Sequence, residues 1–252
     1  MFYTTLQKEL SMEIFKLLIV LIFSLLGGAT QTVTGFGAAI VMMLVFPYFF
    51  EITKAPALAS AIGLFVSGSL CWKFRKKIDL KISGWPTLIY TGISLLIILI
   101  IKYLDLDALR IGYGVFLIAL ALYYFVFSGK VKMNGRWPSM LFSSGISGVA
   151  CGLFGIGGPL MAVYYSDITS ATDVYLANIQ FNFFLGNLIS FLTRVFRGIY
   201  TKDLILYNLI GFVGIFAGRQ AGLLLRGKVD AKTLKKVIYG FVAISGLITI
   251  LG

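Results

Sequence analysis

Six stretches of this chain stay apolar for close to twenty residues, about the length at which a helix crosses ~30 Å of hydrocarbon. They are Ala55–Trp72, Trp85–Ile101, Leu109–Phe127, Val174–Thr193, Ile205–Leu225 and Val237–Leu251. Mean hydropathy is +0.94 and only 13% of residues are charged, against roughly 25% in a soluble domain. No soluble core absorbs that much apolar surface. The chain lacks the alternating ten-residue segments of an outer-membrane barrel, so the spans are expected to be helices and the protein an all-α, multi-pass membrane protein.

A net charge of +12 in a soluble protein would suggest nucleic acid. Here Lys and Arg gather in short loops, Lys73–Lys81, Lys130–Arg136 and Arg226–Lys236, the pattern that sets membrane orientation. These loops are expected to be cytoplasmic, with both termini outside, and no nucleic-acid partner is implied. Trp72, Trp85 and Trp137 border the basic loops, as interfacial anchors do. The acidic loop at Asp167 and Asp173 falls on the cytoplasmic side and the mildly basic Arg194–Asp203 outside. Cys71 and Cys151 form no CxxC and read as packing residues. The apolar stretch from Ile14 has a counterpart in the second half and is expected to remain rather than act as a cleaved signal.

The chain also matches itself. Gly28 and Gly148, Gly35 and Gly155, Gly37 and Gly157, Ser60 and Gln180, and Ser67 and Asn187 are each 120 positions apart. Later, Arg110 and Lys236, Tyr113 and Tyr239, and Gly114 and Gly240 are 126 apart. This predicts a duplication into residues 1–128 and 129–252. Each half opens on an apolar segment broken by glycine, Thr34-Gly35-Phe36-Gly37 and Gly155-Ile156-Gly157-Gly158-Pro159. The piece after the second break, Leu160–Ser166, would rise only about 10 Å as a helix, so these segments are either broken helices or re-entrant hairpins. Three spans follow each one. An odd number of crossings inverts the second repeat relative to the first.

Irregular backbone survives at membrane depth only where protein or a wet cavity covers it, and paired breaks in two halves point to a transport site. Thr34, Gly35, Gly37, Gly155, Gly157 and Gly158 are therefore candidate binding residues. Glycine permits turns with positive φ and close approach of a ligand, Pro159 suits a first helical turn, and helix starts favour an anion. Gln180, Asn187 and Arg194, seven apart, share one helix face, with Ser60 and Ser67 at the first two matching positions of the other half. Amide and hydroxyl groups there could donate to an oxyanion or simply join helices. Asn178 and Asn182 lie on the opposite face and are expected to bind a neighbouring helix. Arg219, inside an apolar run, is the remaining candidate.

No acid sits clearly mid-span and there is no histidine. No catalytic triad, metal-ligand cluster or cofactor motif is present, so an enzyme is not expected and no cofactor is implied.

These motifs resemble the sulfite exporter TauE/SafE family of membrane permeases: Gly35-Phe36-Gly37, Gly155-Ile156-Gly157-Gly158, and a late Gly218-Arg219-Gln220-Ala221-Gly222 before a basic loop and a last span. The first motif has Ala38 and Ala39 in the last two places of the usual glycine run, and Pro159 stands where a further glycine is common. The resemblance implies a secondary carrier, an exporter, of small sulfur-containing anions such as sulfite, sulfonates or sulfoacetate, in the plasma membrane. The expected mechanism is alternating access around a central anion site. The membrane potential is worth about 2.3 kcal/mol per charge per 100 mV and drives anions outward, whereas uptake would need a coupling ion. An anion channel and a membrane scaffold are the competing readings; oligomeric state is not encoded in any of these features.

Overall fold

The structure is a computed structural model that describes residues 2–127, 130, 132–225, 228 and 230–251. The repeat boundary expected at 128/129 lies outside these residues. Among them the chain forms α1 (Phe2–Thr34), α2 (Ala38–Met43), α3 (Phe46–Phe49), α4 (Lys54–Phe74), α5 (Leu80–Ile100), α6 (Leu106–Leu122), α7 (Trp137–Phe154), α8 (Gly158–Ile168), α9 (Thr172–Phe196), α10 (Leu204–Leu225) and α11 (Ala231–Leu251), with no strand. Seven of these, α1, α4, α5, α6, α9, α10 and α11, are long and apolar enough to cross a membrane.

Several helices begin before the apolar runs do. Asp79 accepts the Lys81 N–H at 2.8 Å and opens α5; Asp105 accepts those of Asp107 and Ala108 and opens α6. Such caps satisfy donors that a helix start leaves free, so the first turns can be polar and escape a hydropathy reading.

Polarity is distributed for a lipid solvent. Leu88, Leu96, Ile111, Val115, Leu206, Val213 and Ile244 are exposed, while Ser24, Gln31, Ser67, Asn178, Gln180, Asn182 and Arg194 are buried. A soluble protein hides the first set; here hydrocarbon covers it.

The two broken segments return to the face they start from. Along α1 the chain runs inward to Thr34, turns at Gly35 and Gly37, and comes back through α2 and α3. The Phe15 and Phe49 rings then meet at 5.7 Å and Phe50 meets Tyr207 at 4.9 Å. In the second half α7 runs inward to Phe154, turns at Gly155, and α8 returns until Asp167 accepts the Met133 N–H at 2.7 Å. Both are helical hairpins turned at glycine. The first opens on the face that carries the Lys54–Asp203 ion pair at 3.8 Å. The second opens on the opposite face, that of Lys76, Lys132 and Lys236, where the Trp85 and Trp137 rings lie 5.6 Å apart. At 11 residues, α8 outlasts the seven expected, because it runs beside α7 back to that surface.

Helix pairing follows one rule across the halves. Matching helices pack antiparallel: α4 on α9, with Gly63 at Asn187 and Gly68 at Phe184, and α6 on α11, with Gly114 at Ile250 and Tyr124 stacked on Tyr239 at 4.2 Å. Non-matching ones pack parallel: α1 on α10, with Gly28 at Ile215 and Ala29 at Gly222, and α7 on α5, with Gly148 at Tyr90 and Gly152 at Ser94. Small residues line these seams and let backbones approach, which replaces the hydrophobic drive that lipid removes.

Candidate functional site

The hairpin tips meet in the interior. Gly35, Gly37 and Gly155 have φ of 87°, 108° and 70°, a region that other residues enter only with strain, so glycine makes both turns. Gly155 ends α7 and packs on Pro56 at the start of α4; Gly35 packs on Tyr175 near the start of α9. Each tip thus abuts the first span of the other half.

Between the tips lies a cavity of about 30 Å³, walled by Gln31, Gly37, Gly157, Gly158, Tyr90 and Asn187 among others. It has room for about two waters. No acidic or basic side chain lines it. Its polar walls are neutral: the Asn187 and Gln31 amides, each with one N–H given to Ser67 or Gln180 and a second one left, the Tyr90 hydroxyl, and the opening turn of α8, whose Gly158 N–H has no acceptor within the helix. Pro159 stands in that turn, where its missing N–H is not needed. Neutral donors with a helix start among them suit a small anion.

Of the residues singled out in the sequence, Gly37, Gly155, Gly157, Gly158 and Asn187 line the cavity. The others surround it. Gln180 braces the first tip, its amide nitrogen donating to the Gly35 carbonyl at 2.5 Å and its oxygen accepting from Gln31 at 2.9 Å. The Thr34 hydroxyl bonds the Phe36 carbonyl at 2.7 Å across the turn. Ser60 bonds the Ala57 carbonyl, and Ser67 donates to the Gly63 carbonyl and accepts from Asn187 at 3.3 Å. Arg194 is fully buried and donates to the Gly152 carbonyl at 2.7 Å, near the end of α7. Arg219 lies on the α1 seam beside Gly28 and reaches Gln220. Asn178 and Asn182 accept from the Asp79 N–H and the Thr87 hydroxyl, both at 3.0 Å, and so join α9 to α5 and its approach. The sequence reading missed Gln31, Tyr90, Gly63 and Phe183. Gln31 carried a signal, as an amide deep in an apolar run.

With the cavity at the paired glycine breaks, the comparison with known proteins decides the family. The pattern of the family described as sulfite exporter TauE/SafE matches residues 20–249. The chain belongs to the TauE/SafE family. It is also 27% identical to a probable membrane transporter protein of Methanocaldococcus jannaschii, over 91% of this chain and 92% of that one. No solved structure matches the chain. A TauE/SafE protein with seven candidate spans is a multi-pass membrane transporter, and its substrate is a small molecule. In this member the late Gly218-Arg219-Gln220-Ala221-Gly222 motif forms the α1–α10 seam rather than a cavity wall.

Proposed function

We propose that this TauE/SafE protein is a secondary exporter of small sulfur-containing anions, such as sulfite or a short sulfonate, in the plasma membrane, and that residues 1–128 and 129–252 act as inverted repeats. The observation that carries the reading is the central cavity between the glycine turns of the two hairpins, walled by neutral polar groups. Antiparallel packing of matching helices supports the inversion, since repeats of equal orientation would bring matching helices together parallel. The basic loops share one face, which supports a cytoplasmic assignment for it.

A cavity of about 30 Å³ is smaller than a solvated oxyanion needs, so binding requires the tips to part. Parting them toward one face at a time is alternating access. Neutral donors serve release as well as binding, because each is weaker than a charged clamp.

The test is counterflow in proteoliposomes. Vesicles loaded with unlabelled sulfite or sulfoacetate should transiently accumulate labelled anion, with flux that saturates. Non-saturating flux without counterflow identifies a channel. Absence of flux for sulfite, thiosulfate, sulfoacetate, taurine and simple carboxylates alike supports the scaffold reading and overturns the proposal.

A further inference from the structure

A second cavity, of about 300 Å³, opens on the basic face and shares the Thr34–Phe36 turn and Pro159 with the surroundings of the central one. Lys235, one turn into α11, lines it with its Nζ 5.0 Å above the Phe36 ring. Among the described residues Lys235 makes no salt bridge. Lys132, before α7, brings a second ammonium, while Tyr239 and Ser166 bring hydroxyls; the Tyr175 hydroxyl is donated to the Thr34 carbonyl at 3.1 Å. The acid in this wall, Asp167, accepts the Met133 N–H at 2.7 Å and forms no ion pair with either lysine among the described residues, so the wall carries two ammonium groups against one carboxylate. Phe36 separates the two cavities: it lines this one and packs on Gly158, which walls the central one.

At the matching place in the other half, the counterparts of three lining residues are packed core. By the 126-residue offset Lys235 corresponds to Leu109 and Tyr239 to Tyr113; by the 120-residue offset Ser166 corresponds to Phe46. Leu109, Tyr113 and Phe46 are all buried core, with Met42 and Met43 beside them. Lys235 and Ser166 are therefore polar where their counterparts are apolar, and their polarity does not follow from the hairpin fold itself. A sunken ammonium without a carboxylate partner, in a chamber ending one aromatic ring from the central cavity, is suited to a mobile anion.

We infer that this chamber is a staging site for a small oxyanion on the basic face, held by Lys235 and Lys132 beside the central cavity. The inference rests on the anion-transport reading, and one experiment separates the two. Crystals grown in lipid and soaked in selenate, a tetrahedral oxyanion with an anomalous signal, should show two peaks per chain, one beside Lys235 Nζ and one between Gly37 and Gly157. Lys235→Met should remove the first and keep the second, Asn187→Leu the reverse, and Lys235→Arg should keep both. Equilibrium dialysis in detergent should give two selenates per parent chain and one per Lys235→Met chain. A central peak alone, or an outer peak that persists in Lys235→Met, overturns the staging site and leaves the central reading standing. A peak beside Lys235 alone overturns the central site and with it the staging role. No peak at either place overturns both.

Discussion

The Gln180 amide nitrogen donates to the Gly35 carbonyl at 2.5 Å, so the first span of one half holds the glycine turn of the other. The same side chain accepts from Gln31 at 2.9 Å, and all three groups are buried. Removing Gln180 takes this partner from the buried Gly35 carbonyl and the Gln31 amide. Gln180→Ala is expected to lower unfolding stability in detergent by about 1–3 kcal/mol. Thermal denaturation checks it; an unchanged midpoint would show that the brace is dispensable.

Arg194 is expected to tolerate no ordinary replacement. Its planar fork reaches the Gly152 carbonyl at 2.7 Å and the Ser190 hydroxyl at 3.3 Å, a pair of directions that a lysine ammonium on a flexible stem does not reproduce. Arg194→Lys should destabilise the fold by about 1–3 kcal/mol, while the anion affinity of protein that remains folded stays close to the parent's. A large loss of affinity with unchanged stability would place Arg194 on the anion instead.

The α1–α10 seam leaves no room for side chains. A Cβ at Gly218 would overlap the Leu25 carbonyl, and one at Gly28 would lie 2.5 Å from the Ile215 carbonyl. Since these obstacles are backbone, Gly218→Val forces the helices apart and should lower stability by more than the ~1–3 kcal/mol typical of overpacking. Gly240→Ala, with open space around it, is the control and should be tolerated.

The proposed sidedness, which rests on the basic loops, is open to labelling. Single cysteines replacing Lys76, Lys132 and Lys236 should react with an impermeant maleimide from the cytoplasm, and those replacing Asp105 and Lys202 from outside. Labelling of Lys76→Cys and Lys236→Cys from different sides would break the inverted arrangement.

Much of this architecture is legible in the sequence because its causes are local. Apolar length marks the spans, and paired glycines mark the turns, since φ of 87° and 108° at Gly35 and Gly37 admits little else. What sequence spacing leaves open is the direction in which polar groups point. Gln180, Asn187 and Arg194 share a helix face, yet they end on a backbone carbonyl, a cavity wall and a helix terminus respectively, because three different elements lie against that face. Gly157 is similar. It lines the cavity as expected, but a Cβ there would also overlap the Tyr90 ring and hydroxyl, so Gly157→Val would disturb packing as well as binding. Tyr90 belongs to α5, a continuous helix that no motif marks, and only the folded chain brings it to the site.

The parallel pairing of α1 with α10 bears on how the protein is made. The face of α1 carrying Gly28 and Ala29 is fitted to residues near Ile215 and Gly222, which leave the ribosome after nearly the whole chain. Until then the first hairpin waits with its seam uncovered, although Gln180, which braces its turn, is made earlier. Closure of this seam is thus a late step, and a fragment ending after the first half would carry a hairpin with no partner to close on.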